Sequence, residues 1–325
     1  MKVLLNMVNH KSKLDWFKCD WTDFADFLEE QRMHGSELIF HDDYDTEKIP
    51  KEIAVGMHLK YWPTWLDFWR GDALSLESQF MGMDNAELYY GGSSPDAIID
   101  QYKREFDTAK KLEVDYAVFH VSHVEVEHAF TWDFTYSDEE VLDCAAELVN
   151  RAAGEKYLGF DLLFENLWWP GLNFKNPDST LEFIDKIKYP QKGFMLDIGH
   201  LMITNPDLKT LDQACDYIQN MLERNKAVLK MIKGIHLNQS LTGDYLKQSV
   251  ESKLNVIRSA DSYWDVLNLA REHIGNIDTH LPFINPRINE ILELIDPKYL
   301  VYEFLPKDKS ELKNMIKIQN KVLGR

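Results

Sequence analysis

The chain has 325 residues, of which 45% are apolar or aromatic, enough for a well-buried core in one barrel or two smaller domains. Its formal net charge is −18 and it has no dense Lys/Arg cluster, which argues against a grip on nucleic acid, where phosphate neutralisation supplies much of the affinity. No apolar run approaches the roughly 20 residues that span a bilayer. Asn6, Asn9 and His10 interrupt the start too early for a signal peptide, so the expected location is cytoplasmic. The three cysteines, Cys19, Cys144 and Cys215, show no CxxC spacing and suggest neither a disulfide framework nor a thiolate metal site.

Short β-rich apolar runs alternate with longer amphipathic segments, the pattern of an α/β chain. In chain order the predicted strands are Lys2–Met7, Glu37–Phe40, Ile53–His58, Tyr116–Val121, Gly159–Glu165, Gly193–Asp197, Met231–His236 and Leu300–Phe304. Helical periodicity marks Thr22–Met33, Pro95–Leu112, Asp138–Ala153 and Leu208–Asn225, with Ser137 as N-cap of the third. The lysines between Lys307 and Lys321 fall at helical spacing and read as a solvated face. Eight strands in this alternation, with no Gly-rich phosphate fingerprint after the first, favour a single (β/α)8 TIM barrel over 1–325 rather than a dinucleotide-binding sheet.

Two stretches exceed an ordinary βα loop. Residues 59–94 are aromatic-rich, and residues 237–283 carry helical patterns at Tyr245–Ser259 and Ser262–His273. In a barrel both emerge at the C-terminal face, where active sites are built, and are expected to act as lids or pocket walls. Trp65, Phe68 and Trp69, at i, i+3 and i+4, read as one apolar helix face.

The ionisable residues are the most informative feature. Apolar runs end in His58, His120, Glu165, Asp197, His236 and Glu303. Burying several carboxylates together is costly unless they share a cation, and imidazole and carboxylate are the donors that Zn²⁺, Mn²⁺ or Mg²⁺ accept. His200 follows Asp197 by three residues, on the turn leaving the strand. Asp278 and His280 fall on the same side of an extended segment. A divalent-metal site is therefore expected. His123 and His128 lie close enough to His120 to leave open which of them points inward.

These residues resemble the xylose isomerase-like barrel superfamily, which holds sugar isomerases and epimerases and the type IV apurinic endonucleases. The resemblance runs from about Ile53 to Phe304. It rests on Leu163-Phe164-Glu165-Asn166, Leu196-Asp197-Ile198-Gly199-His200, Gly234-Ile235-His236-Leu237 and Val301-Tyr302-Glu303-Phe304. The epimerase branch implies one metal on Glu165, Asp197, His236 and Glu303, with Glu165 and Glu303 as the acid/base pair and His200 on a substrate oxygen. The chain departs from that pattern at Asn238-Gln239-Ser240, where a carboxylate often follows.

The endonuclease branch implies three ions. By that resemblance His58, His120 and Glu165 hold one, Glu165, Asp197, His236 and Glu303 a second, and His200, Asp278 and His280 a third. All nine residue types are present in order, and the departures are the insertions after His58 and His236. With an acidic chain, such a cluster suits a phosphoester smaller than DNA.

The leading expectation is a metal-dependent isomerase or epimerase of a small sugar-like or polyol substrate, with Glu165 and Glu303 catalytic. His200, Trp168, Trp169, Tyr61 and Trp62 are its expected substrate contacts. The alternatives are a multinuclear phosphoesterase and a barrel that binds metal and ligand without turnover. The expected partner is a small molecule, with homo-oligomerisation left open.

Overall fold

A computed structural model of the chain describes residues 1–40 and 46–325. Eight parallel strands pair in sequence order and close on themselves: β1 Lys2–Val8, β2 Ser36–Ile39, β3 Ala54–His58, β4 Tyr116–His120, β5 Asp161–Glu165, β6 Lys192–Asp197, β7 Ile232–Leu237 and β8 Tyr299–Tyr302. Each predicted strand is present within two residues at either end. β8 closes on β1 through Lys2 opposite Tyr299 and Leu5 opposite Tyr302.

Both faces of these strands are covered, which is why they read as continuous apolar runs. The barrel lumen is filled by Leu4, Val55, Tyr116, Val118, Leu163, Met195, Tyr299 and Val301. The outward residues pack against the helix ring in one large cluster that includes Phe119, Leu162, Phe194 and Ile235. At Gly56 an added Cβ would lie 2.3 Å from the Tyr116 ring, so the glycine makes room for Tyr116 to cross the lumen.

The ring includes the predicted helices as Trp21–Glu30, Asp96–Leu112, Asp138–Ala153 and Leu211–Arg224. Ser137 and Glu140 form a reciprocal capping box at the third. The lysine-spaced C-terminus is the helix Lys309–Val322. Cys215 is buried and Cys144 half-buried, both as free thiols. Among the described residues no helix is long and apolar enough to cross a membrane.

Residues 59–94 fold into the helices Leu66–Arg70, Ala73–Gln79 and Met83–Tyr90, with Trp65, Phe68 and Trp69 buried. The helix expected over Tyr245–Ser259 is instead two, Gly243–Leu246 and Val250–Arg258. Lys247, Gln248 and Ser249 form the break, and serine suits a helix start better than an interior. The second expected helix extends further, as Tyr263–Ile277.

Candidate metal centre

The barrel's register assembles the rim. Parallel pairing puts His120 opposite Glu165 and Asp197 opposite His236, while Glu303 immediately follows β8 and His58 ends β3. Asp197 also N-caps the helix Ile198–Ile203, its side chain accepting from the His200 backbone N–H at 2.6 Å. That cap delivers the His200 ring to the same rim.

Asp278 and His280 arrive from outside the strands, after the helix Tyr263–Ile277, where an isolated bridge between Gln239 and Leu281 ties the segment to the barrel. The segment is not extended throughout, because His280 has φ 46°. A left-handed backbone is uncommon outside glycine, and histidine is among the side chains that adopt it most readily. It still brings His280 Nε2 to 2.6 Å from Asp278 Oδ2.

Glu165 lies at the centre of the cluster. Its Oε2 is 3.1 Å from His58 Nε2 and 3.0 Å from His120 Nε2. Its Oε1 is 3.2 Å from His200 Nδ1 and 3.2 Å from His236 Nδ1. His236 Nδ1 in turn is 3.3 Å from Glu303 Oε2 and 3.9 Å from Asp197 Oδ2. His200 Nε2 is 3.1 Å from Asp278 Oδ2. Three groups thus emerge, each with donor atoms mutually within 4.8 Å: His58, His120 and Glu165; Glu165, Asp197, His236 and Glu303; and His200, Asp278 and His280. Glu165 belongs to two of them.

The outer nitrogens are anchored. His58 Nδ1 donates to the Leu59 carbonyl at 3.0 Å, His200 Nδ1 to that of Asn166 at 2.8 Å, and His280 Nδ1 to that of Glu303 at 3.0 Å. His236 is turned the other way, with Nε2 3.0 Å from Glu37 and Nδ1 facing inward. A ring whose far nitrogen is held by an oxygen presents the near one as a lone pair, the outer-shell arrangement of metal-binding histidines. By contrast, Glu165 Oε1, His236 Nδ1, Glu303 Oε2 and both His120 nitrogens are buried without a well-directed hydrogen bond. Donor atoms that crowd together without bonding one another suit a common cation. The all N/O donor set matches a divalent ion.

The electrostatics agree. Burial opposes charge on Glu165, yet the His120 and His236 imidazoles hold its carboxyl well below the usual range. Burial likewise opposes charge on His58, but the Glu165 hydrogen bond lifts it to about 9. His280 is lifted to about 10 against burial by Asp278 and Glu303. His120 is pushed down to about 4 by burial, and Glu303 up to about 7. In the metal-free protein, protons on imidazoles supply the positive charge that the carboxylates need.

Four residues support the rim in ways that the sequence reading did not assign. Glu37 on β2 is fully buried, holds His236, and accepts from the Tyr116 hydroxyl at 2.8 Å. Burial opposes its charge, and His236 holds it low. The Asn166 amide is clamped to the backbone N–H and carbonyl of Asp197. Ser240 donates to Asp278. Asn238 donates to Asp197 Oδ2 at 2.8 Å, so the residue standing where a carboxylate often follows instead supports a carboxylate. A Cβ on Gly199 would come 1.9 Å from Asn238 Oδ1, which ties the glycine of the Asp197–His200 motif to this contact. A sequence signal existed for Asn166, adjacent to Glu165, but Glu37 sits in a four-residue strand with nothing to mark it.

The open choice among histidines resolves on geometry. His120 faces Glu165, whereas His123 Nδ1 accepts from the backbone N–H groups of Trp65 and Leu66 and His128 pairs with Glu125 at 3.4 Å. Asp67, His123 and Glu125 form a further compact group. There Nδ1 is the acceptor, which leaves Nε2 carrying the proton and unsuited to a cation.

Of the expected substrate contacts, Tyr61 and Trp62 line a cavity of about 610 Å³ that reaches His58, His120 and Glu303. Trp168 and Trp169 are buried, Trp168 edge-on to the His200 ring at 5.1 Å, and neither lines that cavity.

No curated protein matches the sequence. Among solved structures, a protein described as IolI with a binding zinc atom superposes with a TM-score of 0.55 at 13% identity, over 99% of this chain and 96% of its own. Endonuclease IV from Thermus thermophilus does so with a TM-score of 0.54 at 11% identity, over 100% and 99%. A D-tagatose 3-epimerase-like protein reaches 0.50 at 14% identity, over 100% and 97%. At these identities the likeness speaks for the fold alone. The sequence itself matches the family model described as xylose isomerase-like TIM barrel over residues 89–283, more than half of the chain. The chain belongs to the xylose isomerase-like TIM barrel family.

Proposed function

We propose that this chain is a metal-dependent hydrolase of phosphoesters built around a multinuclear centre. The observation that carries the reading is the position of Glu165 between imidazoles on both of its oxygens. A carboxylate so placed would serve two cations at once, a role that a free acid or base does not need. A single-ion centre would leave His58, His120, Asp278 and His280 without a role, although they converge as tightly as the rest.

On this reading His58, His120 and Glu165 would hold one cation, Glu165, Asp197, His236 and Glu303 a second, and His200, Asp278 and His280 a third. Such cations supply Lewis-acid polarisation of a phosphoryl oxygen. Water forms the new bond to phosphorus as the P–O bond to the alcohol breaks, and one water proton ends on the departing oxygen. Glu303 is the rim carboxylate that lines the cavity among the described residues, so it is the group placed to relay that proton. Glu37, Asn166, Asn238 and Ser240 keep the ligands in register.

The test is elemental analysis of the protein beside its His280→Ala variant, with hydrolysis followed in both. Two or three ions, falling by one in the variant together with activity, is the expected result. One ion, unchanged in the variant, would sink the multinuclear reading.

A second reading, isomerisation or epimerisation of a small polyol or sugar, is favoured by one observation. Glu165 and Glu303 flank His236 Nδ1 at 3.2 and 3.3 Å, as an acid/base pair around one cation would. Exchange of a substrate C–H proton with deuterated solvent, lost in Glu165→Gln, would select it.

A further inference from the structure

The cavity that opens onto the rim has walls of a different character from its floor. His58, His120 and Glu303 form the floor. Above them Tyr61 and Trp62 face the helix Tyr263–Ile277, which contributes Trp264, Leu267, Ala270 and Ile274. Among the described residues, no Asp, Asn or Gln lines this space, and Glu303 is its only carboxylate. The Thr64 hydroxyl is already spent on the Val124 carbonyl at 2.7 Å. A hydroxyl-rich ligand would lose its water here with few partners in return, whereas a flat apolar group would gain from every wall.

Two further features point the same way. Leu88 and Trp264, both on the lining, remain 69% and 38% exposed, so the apolar surface continues out to the mouth. Lys60 and Arg271 also line the cavity and give an acidic chain a local positive edge for an anionic ligand. The volume of about 610 Å³ falls within the range of pockets for compact organic ligands, about 300–1,000 Å³.

Resting on the phosphoester reading, we propose that the substrate is a phosphoester of a bulky, flat apolar alcohol, such as an aryl alcohol. The apolar group is held between Tyr61 and Trp62 on one side and the Trp264–Ile274 face on the other, and the phosphoryl group meets the rim.

Two phosphonates that cannot be hydrolysed test this by calorimetric titration into the zinc-loaded full chain: 1-naphthylmethylphosphonate and methylphosphonate. Burying the naphthyl group should tighten binding roughly 100-fold. Leu267→Asp, at a half-buried helix position, should remove at least about tenfold of that gain, with zinc content and Tm read alongside. If that variant does not fold, Trp264→Ala at its partly exposed site should cost about threefold. Equal affinities for the two phosphonates overturn the inference.

Hydrolysis of 1-naphthyl phosphate and methyl phosphate runs in parallel. Equal kcat/KM with equal binding overturns this inference and leaves the hydrolase reading standing. Tight naphthyl binding with neither ester cleaved overturns the hydrolase reading, and with it the ester part of this proposal.

Discussion

The two ends of the barrel solve the same problem with different chemistry. At the amino end, carboxylates that start strands or precede them meet lysines: Lys2 with Asp115 at 2.7 Å and Lys233 with Asp161 at 3.0 Å. These pairs are partly solvated, and each is complete with a permanent positive charge. At the carboxyl end, Glu165, Asp197, Asp278 and Glu303 are buried and meet imidazoles instead. Imidazole can surrender its proton and offer a lone pair, so the carboxyl end can exchange protons for cations and the amino end cannot. Of the two, only the carboxyl end is suited to chemistry, and it is the end where barrels place their active sites.

Four experiments would break or sharpen that contrast. The largest effect is expected from Glu165→Gln, which removes the charge shared by two ligand groups. Phosphoester hydrolysis should fall by about 10³-fold or more, the scale of losing a central electrostatic group, with loss of at least one ion by elemental analysis. Activity within tenfold of the unmodified protein would mean that the rim is not the reacting centre.

Glu37→Gln comes next, since it touches no substrate and acts through His236. Metal affinity, read by competition with a chelator, should weaken about 10- to 100-fold. An unchanged affinity would show that the His236 ring needs no anchor.

The third concerns pH. His58 and His280 have folded-state values lifted to about 9 and about 10 by their carboxylate partners, above the ordinary imidazole value. Their contribution is therefore complete below about pH 6.5 and is lost as pH rises through those values. Metal-free protein should lose roughly 5–10 °C of Tm between pH 7 and pH 10, whereas zinc-loaded protein should not, because the cation has replaced the protons. Parallel melting curves with and without chelator would decide, and identical slopes would count against a cation at the rim.

The smallest effect belongs to the amino end. Lys2→Ala breaks a pair whose side chains are 46% and 35% exposed, and should cost under about 1 kcal/mol with metal content and kcat/KM untouched. A change in either would mean that the two ends are coupled.

The eight strands and the nine rim residues were legible because they follow local rules. Strands buried on both faces write themselves as apolar runs, and a charge placed at the end of such a run stands out. Asp197 and His200 could be linked by sequence because one capped turn joins them. Glu37 could not be found this way, for its role depends on Tyr116 and His236, 79 and 199 residues away. The break between the helices Gly243–Leu246 and Val250–Arg258 was also missed, since one amphipathic pattern runs across both.

What the sequence determined by itself was the alternation of elements, and with it the closed barrel, the donor types and their order along the rim. Those follow from hydrophobic periodicity and from the cost of burying charge, which neighbouring residues already express. Only the tertiary structure decided that Glu165 sits between two ligand groups, that His236 turns its Nδ1 inward, and that Tyr61 and Trp62 rather than Trp168 and Trp169 line the cavity. Each depends on which distant side chain fills the adjacent space, and the distance between two atoms from different strands is set by strand register and packing.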